Sequence, residues 1–191
     1  FAADYYQHAW GEVALPALPP ALRQLPGPRY AQALARLRSA GVVATTAEST
    51  QRPALTDEQS RAVEQLTAAA GFAPSLLFGV TGSGKTEVYL SVIEQTLATR
   101  PESQALLLVP EINLTPQLEL QVRARFPSYG VVALHSGLAA GERAAAWLAA
   151  HEGRARVVIG TRLAVFASLP RLALIVVDEE HDPSYKAGEG V

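Results

Sequence analysis

Eight consecutive residues, Gly79-Val-Thr-Gly-Ser-Gly-Lys-Thr86, fit the pattern G-x-x-x-x-G-K-[ST] in full. Gly79, Gly82 and Gly84 free the backbone to adopt positive φ and to approach an anion closely. With Thr81 and Ser83 between them, their N–H groups can form a concavity for a phosphate chain at a helix N-terminus. Lys85 brings an ammonium to the β- and γ-phosphates of a nucleoside triphosphate, and the Thr86 hydroxyl brings a ligand for Mg²⁺. Of the 16 basic side chains only Lys85 and Lys186 are lysines, and one of them stands where the pattern needs it.

A second group of chemical residues follows the apolar run Leu172–Val177, which ends in Asp178-Glu179-Glu180-His181. Carboxylates crowded at the tip of a buried strand repel one another and lose hydration, and a divalent cation offsets both costs. Ligands of open α/β sheets also bind beyond the carboxyl ends of the strands. Asp178 is therefore the second candidate Mg²⁺ ligand. Glu179 is the candidate general base, or orienter of water, for attack on the γ-phosphate. Glu180 and His181 are placed to couple this site to another surface.

The elements that must position these groups alternate strand with helix. Thr56 opens a helix carrying Val63 and Leu66, and Ser75–Phe78 is a short apolar run expected to form the strand before the glycine loop. Helices are expected over Thr86–Ala98, after Thr115 with Pro116 in the first position, and over Ala139–His151. Strands are expected at Ala105–Val109, Val131–Leu134, Val157–Ile159 and Leu172–Val177, mostly bare apolar runs of the kind buried in parallel sheets. That alternation implies an α/β fold, a parallel sheet with helices on both faces. Residues 1–53 are different: proline-rich, slightly basic, with one helix expected at Arg29–Ala40 and a polar linker at Thr45–Arg52.

Composition bounds the remaining possibilities. The 191 residues, 49% apolar and 18% charged, suffice for one domain with a sizeable core. No apolar run is long enough to span a membrane, and none at the start reads as a secretory leader. The absence of cysteine excludes disulfides and thiolate zinc sites within these residues. A net charge of −2 leaves any nucleic-acid binding to local patches.

The acidic motif behind a phosphate loop resembles the superfamily 2, DExH-type helicases. GVTGSGKTEVYL, LLLVPEINLTPQ, LHSGL, VVIGTR and VDEEHDPSYK, in that order and spacing, resemble the primosomal replication-restart helicases, the PriA family. The resemblance runs over residues 54–190. It implies a RecA-like first helicase lobe at 54–191, incomplete at its C-terminus. Residues 1–25 would close an N-terminal DNA-binding domain, and 26–53 would be a truncated winged-helix region and linker. It implies ATP and Mg²⁺ as cofactors, with zinc held elsewhere in the parent protein.

The resemblance also assigns residues. Gln59 matches the adenine-contacting glutamine upstream of the loop, although Thr56-x-x-Gln59 equally reads as a helix capping box. Pro110, Glu111 and Asn113 fall where the family meets the DNA backbone, as do His135-Ser136-Gly137 and Gly160-Thr161-Arg162. Tyr185 is suited to stack on a base and Lys186 to meet a phosphate in a loop that senses single-stranded DNA. Tyr5, Tyr6 and Trp10 suit either a stacking patch or a core.

The function implied is an ATP-driven 3′-to-5′ DNA helicase that acts in primosome assembly at stalled or repaired forks. Its partners would be forked or single-stranded DNA, single-stranded DNA-binding protein and other primosome proteins, in the bacterial cytoplasm at the nucleoid, with no membrane involved. The family's second lobe and its arginine finger, worth roughly 10³–10⁵ in turnover, are not among these residues. This chain alone is therefore expected to bind Mg-ATP and to hydrolyse it poorly. The competing reading is a fork-DNA loading scaffold that uses ATP as a conformational ligand.

Overall fold

Apolar strands buried on both faces need partners in register, and four of the runs find them. In a computed structural model, which describes residues 9, 15–23, 27, 30–40, 53–69, 71–80 and 82–186, β1 (Gln104–Leu108), β2 (Val131–Leu134), β3 (Val157–Gly160) and β4 (Leu172–Val177) form one sheet in the order β2-β3-β1-β4. Every pairing is parallel. The helices are α1 (Pro20–Arg23), α2 (Tyr30–Ala40), α3 (Asp57–Ala68), α4 (Lys85–Thr99), α5 (Pro116–Arg125) and α6 (Ala140–His151).

Period-two alternation sends the strand side chains to two faces. Ala105, Leu107, Val131, Ala133, Val157 and Ile159 meet Leu90, Ile93 and Leu97 of α4 and Val122 of α5. Leu106, Leu108, Val132, Leu134 and Val158 meet Ala146, Ala149 and Ala150 of α6, whose short side chains let that helix lie close to the sheet. The expected α/β arrangement with helices on both faces is therefore what forms. Val63 of α3 adds a smaller cluster with Val88 and Val92 of α4.

Local chemistry fixes where the helices start and stop. Thr56 caps α3 and Thr115 caps α5 ahead of Pro116. At the far end of α4, Arg156 donates to the carbonyls of Leu97 at 2.9 Å, Arg100 at 3.2 Å and Ser103 at 2.8 Å. A guanidinium there satisfies orphan carbonyls and faces the negative end of the helix dipole. Gln104 is fully buried at the start of β1, donating to Ala150 and Ala155 and accepting from the Arg171 N–H.

One expected strand does not form. Ser75–Phe78 takes no regular secondary structure and pairs with no strand among the described residues, and Leu76 and Phe78 are 76% and 91% exposed. Apolar residues equip a segment for a sheet, but only a neighbour's backbone groups make it a strand. Among the described residues β4 has β1 on one side and nothing on the other, and Ile175 and Val177 are exposed beside that free edge. No described helix is long and apolar enough to cross a membrane.

Candidate active site

Because all four strands are parallel, their C-terminal ends share one rim. The ladder continues past the strands: Asp178 N–H donates to Leu108 at 2.9 Å, Val109 N–H to Gly160 at 2.9 Å and Thr161 N–H to Leu134 at 3.2 Å. The stretches after β1, β2, β3 and β4 are thereby held side by side.

The glycine loop meets this rim at the start of α4. Gly82 and Gly84 have φ of 80° and 83°, and a Cβ on Gly84 would lie 2.4 Å from the Gln59 amide nitrogen. A Cβ on Gly79 would meet the Ser83 hydroxyl at 2.7 Å. The positive φ of Gly82 and Gly84 is thus what calls for glycine there, while at Gly79 a side chain would require the Ser83 hydroxyl to turn aside. Thr81 lies outside the described residues, as do Tyr5, Tyr6, Trp10 and most of 1–53.

Lys85 and Thr86 occupy the first turn of α4, both half-buried. The Lys85 ammonium donates to the carbonyls of Gly79 at 2.8 Å and Val80 at 3.3 Å, and lies 3.9 Å from the Glu179 carboxylate. One turn on, the Tyr89 hydroxyl donates to Asp178 Oδ2 at 3.3 Å. The two sequence groups thus meet: Lys85 and Thr86 on one side, Asp178 and Glu179 on the other.

The electrostatics follow from this crowding. Burial pushes the Asp178 carboxyl above its ordinary value and the Glu179 charge adds to the effect, while the Tyr89 hydrogen bond and the Lys85 charge pull it back. Burial likewise pushes the Tyr89 phenol up, with the Asp178 charge adding to it. Glu179 has φ of 47°, a left-handed backbone rare outside glycine, and its carboxylate is 3.6 Å from His181. Strained backbone of this kind clusters where a side chain must be aimed.

The donor set suits a nucleotide with Mg²⁺. One carboxylate and one hydroxyl, with phosphate oxygens and water to complete the shell, is the usual provision for this ion. Among the described residues no cluster of three acidic, histidine or cysteine side chains offers a cage of protein ligands instead.

Gln59 serves the helix cap and the loop together. Its Oε1 accepts the Thr56 N–H at 2.9 Å and its Nε2 donates to the Ser83 carbonyl at 3.1 Å.

The residues expected to meet DNA divide into two groups. Glu111, Asn113, Ser136, Gly137, Arg162 and Lys186 are exposed along the rim, and His135 is half-buried there. The side chains of Pro110 and Thr161, by contrast, are buried beneath the rim. The Pro110 carbonyl is used by the N–H groups of Asn113 and Leu114, and the Thr161 hydroxyl is enclosed without a partner. Tyr185 is half-buried, and its hydroxyl donates to the Asp178 carbonyl at 2.9 Å. Arg162 donates to the Lys186 carbonyl at 2.6 Å, tying the rim after β3 to the loop after β4.

A model of the DEAD/DEAH box helicase family matches residues 56–190, a span that takes in the glycine loop, the rim and the acidic strand end. The chain belongs to the DEAD/DEAH box helicase family. Its sheet is the RecA-like lobe of such a helicase. Three relatives are similar over a stretch of about the same length. "Replication restart protein PriA" of Synechocystis sp. is 47% identical over 138 residues, covering 72% of this chain and 16% of the relative. The protein of the same name from Bacillus subtilis is 46% identical over 138 residues, covering 71% and 17%. That from Treponema pallidum is 48% identical over 134 residues, covering 70% and 20%. The chain thus spans a fifth or less of the length of these relatives, and the resemblance to replication-restart helicases seen in the sequence is borne out.

Sequence reasoning missed Tyr89. Its signal was its place four residues after Lys85 and three after Thr86, which puts all three on one side of a helix.

Proposed function

We propose that this chain is the ATP-binding motor lobe of a 3′-to-5′ DNA helicase that restarts replication at stalled or repaired forks. The observation that carries this is the meeting of Lys85 and Thr86 with Asp178 and Glu179 at one end of a parallel sheet. In this reading the loop N–H groups and Lys85 hold the triphosphate, and Thr86 and Asp178 hold its cation. Glu179 accepts the proton of the attacking water. Mg²⁺, when bound, neutralises charge on the phosphate oxygens. Gln59 braces the loop through Ser83 and is available to an adenine.

Translocation polarity and the fork substrate are supported by the resemblance to the replication-restart helicases. So are the partners: single-stranded DNA, single-stranded DNA-binding protein and other primosome components in the bacterial cytoplasm. The rim residues Glu111, His135, Ser136 and Arg162 are the proposed backbone contacts. Tyr185 and Lys186 are the proposed single-strand sensor, tied to the acid by the Tyr185 hydroxyl. Pro110 and Thr161 act in this reading through the loops they shape.

The test is Glu179→Gln in the full-length helicase. Fork binding should persist while ATP hydrolysis and unwinding fall by two orders of magnitude or more. Unwinding at the parental rate would overturn the motor reading.

A further inference from the structure

A buried phenol is an expensive way to fill a core. The Tyr89 residue is 6% exposed, and its ring packs in the same cluster as Leu90, Ile93 and Phe126, where a phenylalanine would serve as well. The hydroxyl adds a polar atom that costs free energy wherever it lacks a partner. Its partner is the carboxylate of Asp178. Thr86 stands three residues before Tyr89 on the same helix, so the phenol links the helix that carries Thr86 to Asp178, the two residues that the nucleotide reading gives to the cation.

Two tyrosines hold Asp178 from different ends. Tyr185 fixes its backbone carbonyl at 2.9 Å and Tyr89 bears on Oδ2 at 3.3 Å, so the backbone is held and the carboxylate is given a preferred rotation. The second distance is longer than an ordinary O–H to carboxylate bond. Such a contact orients the acid without sequestering it, and leaves it free to ligate.

We propose that Tyr89 is a positioning residue which presets the Asp178 carboxylate opposite Thr86 and thereby sets how much Mg²⁺ the chain needs to bind nucleotide. The inference rests on the nucleotide-site reading above and deepens it.

Tyr89→Phe keeps the ring and removes the hydroxyl. The readout is equilibrium binding of a fluorescent N-methylanthraniloyl ATP to the chain, without Mg²⁺ in EDTA and across a Mg²⁺ titration. Affinity in EDTA should match the parent within twofold. The Mg²⁺ concentration giving half of the affinity gain should rise about three- to tenfold, the range of one ordinary hydrogen bond, because at 3.3 Å this one is too long to have the full strength of a bond to a charged group. Mn²⁺ bound in the presence of the same nucleotide, counted by electron paramagnetic resonance, should weaken by the same factor.

In an Asp178→Ala background, where no side-chain oxygen is left for the phenol, Tyr89→Phe should add nothing further. An unchanged Mg²⁺ midpoint overturns the proposal. So does a loss of affinity that is equal with and without the cation, because that is the mark of packing alone. If the parent chain gains no affinity from Mg²⁺, the nucleotide-site reading fails, and the role of Tyr89 falls with it.

Discussion

The Lys85 ammonium is bonded to the Gly79 carbonyl at 2.8 Å, so the cation assigned to phosphate is engaged by its own loop. A positive charge shared between loop carbonyls and Glu179 holds the loop around the place where an anion would sit. A bound triphosphate must compete for it.

Lys85→Ala should therefore weaken ATP binding by about one to two orders of magnitude, the effect of losing one or two charge-assisted hydrogen bonds. Calorimetric titration of ATP into the chain checks this. Affinity equal to the parent would contradict the cradle.

Gln59 offers a way to separate its two tasks. Gln59→Glu keeps an oxygen for the Thr56 N–H, so the capping box survives and the melting temperature should stay within about 1 °C. The donor to Ser83 is lost, and a carboxylate would face that carbonyl instead. Nucleotide affinity should fall about three- to tenfold while the melting curve barely moves. Gln59→Ala should lower both.

Arg125 is a buried tie between helices. Its guanidinium, 11% exposed, lies 3.0 Å from Glu87 and 3.0 Å from Glu94, fastening α5 to α4. Arg125→Met removes the guanidinium that lies between the two carboxylates. The loss should be about 2 kcal/mol, between the values for exposed and fully buried pairs, read from urea unfolding. Replacing both glutamates by glutamine in the Arg125→Met background should recover part of it.

A pH-dependent tie joins α2 to the end of α6. Arg38 donates to Glu152 at 2.7 Å and Arg154 does so at 2.9 Å. Burial alone would raise the Glu152 carboxyl, but the two guanidiniums outweigh it and hold the group below its ordinary value. A carboxylate held low stabilises the fold while ionised. That contribution fades as pH falls from the ordinary glutamate range through the lowered value. Glu152→Gln should lower the melting temperature by about 1–3 °C at neutral pH, and the gap to the parent should close in acid.

Much of the lobe was legible because short-range signals carry it. Bare apolar runs marked β1 to β4, and Thr56, Thr115 and Pro116 marked helix starts, since caps and strand burial depend on neighbours in the chain. The glycine loop and Asp178-Glu179 were legible for the same reason. Pairing is different. Ser75–Phe78 has strand composition, yet nothing within four residues says which backbone would pair with it. Long-range partners hid Gln104, which reaches the end of α6, and Arg125, which finds two acids a helix away. They hid Tyr89 too, although its helical spacing from Lys85 pointed to the site. The rim motifs name Thr161 and Pro110 but do not say which way each side chain turns, and both turn inward.

Among the described residues no strand covers the outer side of β4, and that carries a cost for handling the chain by itself. An open strand flank is a template for more strand, and here it lies near greasy side chains at Ile175 and Val177, with no charged residue between Leu172 and Val177 to discourage stacking. Phe78 and Leu76 add further surface that water wets poorly. Concentrated solutions of this piece should self-associate through that flank, and purification is best done dilute, with a lysine in place of Ile175 as the simplest gatekeeper.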